Sequence, residues 1–184
     1  DTAIVVGRPE VIDARIEREG LSIKPGVDFE IVNPENDHRY RDYWGTYHSI
    51  MARDGVTPDL AKAILRTNST AIAATMVHRE EADSMICGTF GQYQWHLKYL
   101  RQILANEDLN PTGALSLLIL EKGPLFIADT HVNIEPTADQ IAATMIAAAR
   151  HVRRFGLEPK LALCSGSQFG NNDCHSGRVS RAAL

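Results

Sequence analysis

The sequence has few of the features that mark membrane-spanning or small secreted proteins. Only three of its 184 residues are cysteine, and scattered cysteines do not form the dense disulfide framework of such secreted proteins. No apolar run approaches the ~18 residues that are needed to cross a bilayer, and no signal peptide is recognisable. We therefore expect a protein of a reducing compartment, the cytoplasm, with no membrane partner.

Positive charge and metal-ligand spacing are also scarce. Nineteen Lys and Arg residues stand against 23 Asp and Glu residues, which gives a net charge of −4. Non-specific binding to nucleic acid needs clustered cationic side chains that displace counterions from phosphates, so we expect no nucleic-acid partner. The seven His and three Cys residues show no zinc-binding spacing, and we expect no structural metal.

What the sequence does have is enough apolar content to fold. Hydrophobic residues make up 44% of the chain, which excludes disorder, and the length is about that of one domain. However, the chain opens on Asp1 without a Met and stops at Leu184 within a helical pattern. We interpret it as a fragment whose unpaired sheet edge would favour a poorly behaved monomer or an obligate oligomer.

Short apolar runs alternate with helical patterns along the chain. The predicted strands, in chain order, are 3–7, 28–33, 85–88, 115–120, 125–128 and 161–164. Their apolar residues are continuous rather than alternating, which is typical of strands buried on both faces of a parallel sheet. The pattern predicts an α/β fold with a mostly parallel sheet.

Two helix starts carry capping residues. Thr57 precedes a Pro at the first helical position, which predicts a helix over 58–66 that is followed by another over 69–79. Thr137 and Gln140 have the spacing of a capping box and predict a long helix. Other helical patterns cover 9–19, 40–53, 92–104 and the residues after Ser176.

Ligands of α/β proteins collect in the loops that follow the strands. Three such loops are candidates, namely 88–94, 129–136 and 165–177. The last is rich in small residues whose amides can turn towards an anion, although an ordinary turn is the alternative. Asp129 and His131 have the spacing of an acid and base pair, although a capping Asp beside a solvated His is the alternative.

Aromatic side chains follow the loop that begins at Gly88. Tyr93, Trp95, His96 and Lys98 can stack on and pair with a nucleotide-like ligand, or they can form the buried face of a helix.

The cysteines carry weaker signals. Cys87 and Cys164 lie in predicted strands and are expected in the core. Cys174 lies beside His175, and a catalytic thiolate pair there is the less favoured interpretation.

Several long segments resemble the phosphate acetyltransferase and butyryltransferase family. They are Phe126 to Asn133, Pro136 to Ala138 and Arg154 to Ser165, and shorter matches at 3–9, 32–34, 40–44 and 87–89 resemble the branch that is fused to bacterial NADP-dependent malic enzymes. The resemblance covers nearly the whole chain. It implies a two-lobed three-layer α/β/α fold, like that of isocitrate and isopropylmalate dehydrogenases, with a cleft for acyl-CoA and phosphate. The lobes would be about 1–80 and about 81–184.

The resemblance also points to site residues. In active members two cleft arginines hold acyl phosphate and CoA, and an ungapped placement puts these positions on Met51 and Lys98. Methionine cannot pair with phosphate, and lysine cannot repeat the bidentate contact of a guanidinium. Hence we assign no catalytic residue. The implied ligand-binding residues are Thr89, Gln92, Lys98, Asp129, Asn133, Ser165 and Ser167.

A cleft that keeps its framework while losing transfer groups favours ligand sensing. We expect a regulatory domain of an NADP-dependent malic enzyme, an oligomer that decarboxylates malate to pyruvate, with acetyl-CoA as allosteric effector. NADP and a divalent metal would belong to the malic-enzyme part, outside these residues. Two alternatives stay open: an active phosphate acetyl/butyryltransferase and a structural oligomerisation module.

Overall fold

A computed structural model describes residues 2–88, 90–105, 112–165 and 174–184. The chain divides into two compact units, Asp1–Ala105 and Asn106–Leu184. Each unit is described by itself.

Unit 1 combines a short parallel sheet with five helices. Its elements are β1 (Ala3–Val6), α1 (Pro9–Arg18), β2 (Phe29–Val32), α2 (Tyr40–Met51), a 3-10 turn (Ala52–Asp54), α3 (Pro58–Thr67), α4 (Ser69–His78) and α5 (Tyr93–Leu104). β1 and β2 are parallel, with Ala3 opposite Phe29 and Val6 opposite Val32. The strands and helices predicted for residues 3–79 and 92–104 are therefore confirmed to within a few residues.

Capping residues set the boundaries of α3 and α4. The Thr57 Oγ1 accepts the Leu60 N–H at 3.3 Å, and the Asn68 Oδ1 accepts the Ala71 N–H at 3.1 Å. Each bond satisfies a backbone donor that has no partner within its own helix. Gly55 has φ +84°, a left-handed conformation that favours glycine, and it turns the chain into α3.

One face of α2 forms the centre of the core of unit 1. Tyr43, Tyr47 and Met51 recur every four residues, so they share one face of the helix. All three are buried, and they cluster with Leu65 of α3 and Ile72 of α4. Fully burying a side chain such as Met, Leu or Ile contributes about 1.5–3 kcal/mol. The burial of this face is therefore a major contribution to the stability of unit 1.

The carboxylate of Glu81 accepts two hydrogen bonds just after the end of α4. The Tyr43 hydroxyl donates to Glu81 Oε2 at 2.8 Å, and the Arg79 Nε donates to Glu81 Oε1 at 2.6 Å. Burial raises the pKa of Glu81, but these two hydrogen bonds outweigh it and hold the pKa below its ordinary value. Glu80 has φ +61°, and this turn brings Glu81 back towards α2 before the chain leaves for Gly88.

Unit 2 is a hairpin followed by two helices. Its elements are β3 (Leu115–Leu120), β4 (Gly123–Ala128), α6 (Ala138–Arg154) and α7 (His175–Ala182). β3 and β4 are antiparallel, which confirms the predicted adjacent strands with a tight connection. Phe126 of β4 packs against Phe155 at the end of α6, with ring centroids 5.3 Å apart.

The predicted capping box begins α6. The Thr137 Oγ1 accepts the Gln140 N–H at 3.2 Å, and the Thr137 N–H donates to Gln140 Oε1 at 2.9 Å. This prediction is confirmed, because each side chain of the pair satisfies one backbone donor at the helix start.

Two predicted strands are wrong. Residues 85–88 and 161–164 have no strand conformation, and Ile86 is fully exposed. A strand needs a neighbour for its backbone hydrogen bonds, and neither run pairs with another strand in the described part of the chain. Cys87 and Cys164 are consequently exposed, so their expected place in the core is also wrong.

The units divide at Ala105, whereas the implied boundary between lobes lies near residue 80. α5 accounts for the difference, because it packs on α4 and α2 and so belongs to unit 1. The extent of the two lobes stays a prediction.

Within the described ranges, no helix is both long and apolar enough to cross a membrane.

Replacing Glu81 by Gln should destabilise unit 1. Glu81→Gln keeps the size of the side chain but removes the charge that accepts from Arg79 and Tyr43. Losing such a charged hydrogen bond costs about 1–3 kcal/mol, measured as the free energy of unfolding in urea at pH 7. Asp59→Asn is the control, because the Asp59 side chain is 92% exposed.

The same substitution should alter the acid sensitivity. A lowered pKa means that the stabilisation by Glu81 is present above its ordinary pKa of 4.5 and is lost as the pH falls through its pKa in the folded state. The stability difference between wild type and Glu81→Gln should therefore shrink below pH 4.5. A difference that stays constant down to pH 2.5 would contradict this role.

Candidate functional site

The loop that follows Gly88 presents aromatic side chains to solvent. Phe90 is 81% exposed, Trp95 61% and Tyr93 47%. The buried residues of α5 are instead Leu97 and Ile103. The alternative that Tyr93 and Trp95 form the buried face of the helix is therefore wrong, and both rings are accessible to a ligand.

Gln92 and Lys98 lie on either side of the start of α5 in sequence, and both are exposed. Gln92 is the residue that precedes α5. The Lys98 Nζ lies 5.8 Å from the centre of the Tyr99 ring, and no carboxylate in the described part of the chain pairs with it. A cation with no internal ion pair can pair with an anionic ligand at little cost in lost contacts. Thr89 lies outside the described residues.

His96 serves the structure of this loop instead of facing outwards. Its Nδ1 lies 2.8 Å from Thr70 Oγ1 of α4, and its Nε2 lies 2.8 Å from the Phe90 carbonyl oxygen. A carbonyl oxygen only accepts, so the Nε2 carries a proton and donates it to that oxygen. Both ring nitrogens are engaged within the protein, which argues against the expected pairing of His96 with a ligand.

Met51 lies in the core. Its side chain is 6% exposed and packs in the cluster that surrounds α2. The Met51 side chain therefore does not face a ligand in unit 1. The ungapped placement of a family arginine on Met51 therefore marks a core position of this chain.

Asp129 organises the loop after β4. Its Oδ1 accepts the N–H groups of Ala114 and Val132, both at 3.1 Å. Its Oδ2 accepts the Asn133 N–H at 2.9 Å and the Asn133 side-chain amide at 2.6 Å. The same amide donates to the Thr112 carbonyl at 2.9 Å. Asp129 and Asn133 are thus brought together, with the carboxylate tying the loop to the start of β3.

The electrostatics fit a structural carboxylate. Partial burial raises the pKa of Asp129, but the hydrogen bonds from Ala114, Val132 and Asn133 outweigh burial and hold it below its ordinary value. The exposed His131 hydrogen-bonds through Nδ1 to Thr130 Oγ1 at 2.7 Å. A carboxylate that already accepts four donors is poorly placed to take a proton. This geometry supports the interpretation of Asp129 as a capping residue.

Little of the third candidate loop is described. Ser165 is half-buried, and Ser167 lies outside the described residues. The Cys174 Sγ accepts the Gly177 N–H at 3.4 Å and lies 3.3 Å from Ser176 Oγ. The thiol therefore caps the start of α7, which argues against a catalytic pair with His175.

The candidate residues form one group in each unit. Gln92 and Lys98 flank the exposed aromatics in unit 1, and Asp129 with Asn133 holds a loop in unit 2.

Sequence reasoning missed Thr70, which fixes His96. Its only signal is a hydroxyl at the start of an otherwise apolar helix, and pairing with a residue 26 positions away leaves no periodic trace.

The fold of the chain is that of solved phosphotransacetylase structures. The solved structure titled "EutD phosphotransacetylase from Staphylococcus aureus" matches with a TM-score of 0.78 over 99% of this chain and 54% of that chain, at 19% identity. The family profile described as "Phosphate acetyl/butaryl transferase" matches residues 1–184. The chain belongs to this family, and the resemblance found in its sequence is confirmed.

Malic enzymes and phosphate acetyltransferases are both among the relatives of this chain. An NADP-dependent malic enzyme of Escherichia coli is 50% identical over 98% of this chain. A phosphate acetyltransferase of Synechocystis is 30% identical over 74% of it. The chain spans 24% of the length of that malic enzyme and 20% of that acetyltransferase. The sequence is thus more similar to a segment of that malic enzyme than to that acetyltransferase.

Arginine at position 51 should not be tolerated. Met51→Arg would bury a guanidinium without a partner, which should lower the free energy of unfolding by at least about 3 kcal/mol. Met51→Leu keeps the volume and should cost less than about 1.5 kcal/mol. Urea unfolding at pH 7 measures both. A stable Met51→Arg protein that gains affinity for phosphate would show instead that this position faces the ligand.

Replacing Asp129 by Asn should loosen the loop of unit 2. The Asn side chain has one acceptor oxygen, and its NH₂ group would face N–H donors that the carboxylate now satisfies. We expect the amide protons of Val132 and Asn133 to exchange about fivefold to thirtyfold faster, since about 1–2 kcal/mol of local stability is lost. Hydrogen exchange measures this. The exposed Glu135 in the same loop gives the control Glu135→Gln, and unchanged exchange in Asp129→Asn would contradict the role.

Proposed function

We propose that this chain is the phosphotransacetylase-like regulatory domain of an NADP-dependent malic enzyme and that it binds acetyl-CoA as an allosteric effector. One observation carries the proposal. The chain is 50% identical to a segment of a malic enzyme across 98% of its length, whereas the identity to a phosphate acetyltransferase is 30% over a shorter part.

The loop–helix junction around α5 supports the ligand. Adenine rings bind well on exposed aromatic side chains, and such stacking is worth about 1–3 kcal/mol per base. Trp95 and Tyr93 offer two such rings. Lys98 lies one turn beyond them and supplies a cation for a phosphate group of CoA. Gln92 adds exposed amide groups at the start of the helix.

Three features argue against acyl transfer as the main activity. Met51 is a core residue. Lys98 occupies the other expected arginine position and offers only a point charge. Asp129 is saturated with hydrogen bonds from its own loop. Binding without transfer needs none of these groups to act on the thioester.

Regulation needs only a difference in affinity. A ligand that binds one state of an oligomer more tightly shifts the population towards that state. In this proposal acetyl-CoA favours a state with low malate-oxidising activity, in a homo-oligomer whose malic-enzyme part supplies NADP and metal binding.

Acetyl-CoA should bind the full-length protein saturably in calorimetric titration. Trp95→Ala should weaken the affinity at least about fivefold, because a stacking surface is lost, and Lys98→Gln should weaken it by a similar factor. Lys122→Gln is the matched control, because Lys122 is an exposed cation in the turn of the unit 2 hairpin.

Each other outcome points to a different function. No heat of binding would overturn the proposal. Formation of acetyl phosphate from acetyl-CoA and phosphate would favour the working transferase. Loss of the oligomer on deletion of the domain, with no ligand-dependent shift of the melting temperature, would favour a structural module.

A further inference from the structure

We propose that His96 is a positioning residue that sets the backbone conformation of residues 90–92, which lead into α5. We further propose that Thr70 fixes the tautomer of the His96 ring that makes this contact. The hydrogen-bonding role stands on the geometry of unit 1. The consequence for acetyl-CoA affinity rests on the proposed function.

The anchored segment has no other regular support. Residues 82–88 and 90–92 lie in neither a helix nor a strand. The Phe90 side chain points to solvent and cannot anchor the loop by burial. Gly88 and Gly91 have φ of +127° and +89°, conformations that other residues rarely adopt. A fixed backbone contact is therefore needed to hold this path, and the bond from His96 to the Phe90 carbonyl supplies it.

The anchor is itself held from the opposite side. Thr70 is 5% exposed at the start of α4, so its hydroxyl needs a partner inside the protein. In the neutral imidazole only one nitrogen carries hydrogen. When the Thr70 hydroxyl donates to Nδ1, the proton of the ring is kept on Nε2, where it can bond to the Phe90 carbonyl.

This chain of bonds connects the core to the ligand surface. Thr70 belongs to the buried helix α4, and His96 belongs to the first turn of α5, between Trp95 and Lys98. Gly91 lies beside the ring, because a Cβ built on it would lie 3.5 Å from His96 Nε2, an ordinary van der Waals distance. Fixing the ring therefore fixes the Phe90 to Gln92 backbone beside the exposed aromatics.

Two matched pairs of variants test this in the full-length protein. His96→Ala removes the anchor, whereas the side-chain amide of His96→Gln can still donate to a carbonyl and accept from Thr70. Thr70→Val removes the hydroxyl at nearly constant volume, whereas Thr70→Ser keeps it. The first readout is amide hydrogen exchange over 88–92 without ligand, and the second is the acetyl-CoA dissociation constant.

We expect exchange over 88–92 to be about fivefold to tenfold faster in His96→Ala and Thr70→Val. His96→Gln and Thr70→Ser should recover most of the protection. Affinity for acetyl-CoA should likewise fall in His96→Ala and Thr70→Val and recover in His96→Gln and Thr70→Ser. The urea midpoint of unfolding should change little in all four variants.

Unchanged loop exchange in His96→Ala, or no recovery in His96→Gln, would overturn the positioning role. If wild type binds no acetyl-CoA while the exchange pattern holds, the proposed function fails and the positioning role of His96 stands.

Discussion

The buried face of α2 is the constraint on which unit 1 depends. Tyr43, Tyr47 and Met51 meet α3 and α4 along one stripe, and they are almost completely excluded from solvent. A close-packed interior does not accept a charged or much larger side chain without loss of stability. The packing against this face of α2 therefore holds α4 in place. Its two ends then hold the neighbouring segments: Glu81 ties the exit of α4 to α2, and Thr70 ties its start to His96.

This arrangement separates groups that hold the fold from groups that can meet a ligand. Glu81 accepts hydrogen bonds from Tyr43 and Arg79, and Asp129 accepts four from its own loop and the start of β3, so both carboxylates are engaged within their own units. Trp95 and Lys98, by contrast, face solvent on a helix whose position is fixed. A rigid surface with accessible rings and a cation suits binding. Transfer chemistry would need acid, base or anion-stabilising groups that are free to act on the substrate, and this contrast among the described residues is the physical basis on which we propose ligand sensing.

Local chemistry made much of this predictable from sequence. The Thr57 cap, the Thr137 capping box and the β3–β4 hairpin depend on residues within a few positions, and all three are present. The prediction of strands at 85–88 and 161–164 was wrong because an apolar run does not reveal whether a neighbouring strand will pair with it. The link from Thr70 to His96 was invisible, since it depends on how two helices pack. The arginine position on Met51 came from alignment, and only the packing shows that it lies in the core.

The central claim is that acetyl-CoA acts here as a signal and not as a substrate. It is tested most directly by following malate-dependent reduction of NADP by the full-length protein while acetyl-CoA is titrated in the presence of phosphate. The account predicts a saturable fall in rate over the concentration range in which acetyl-CoA binds, with no acetyl phosphate formed. An unchanged rate of NADP reduction together with steady production of acetyl phosphate would contradict it.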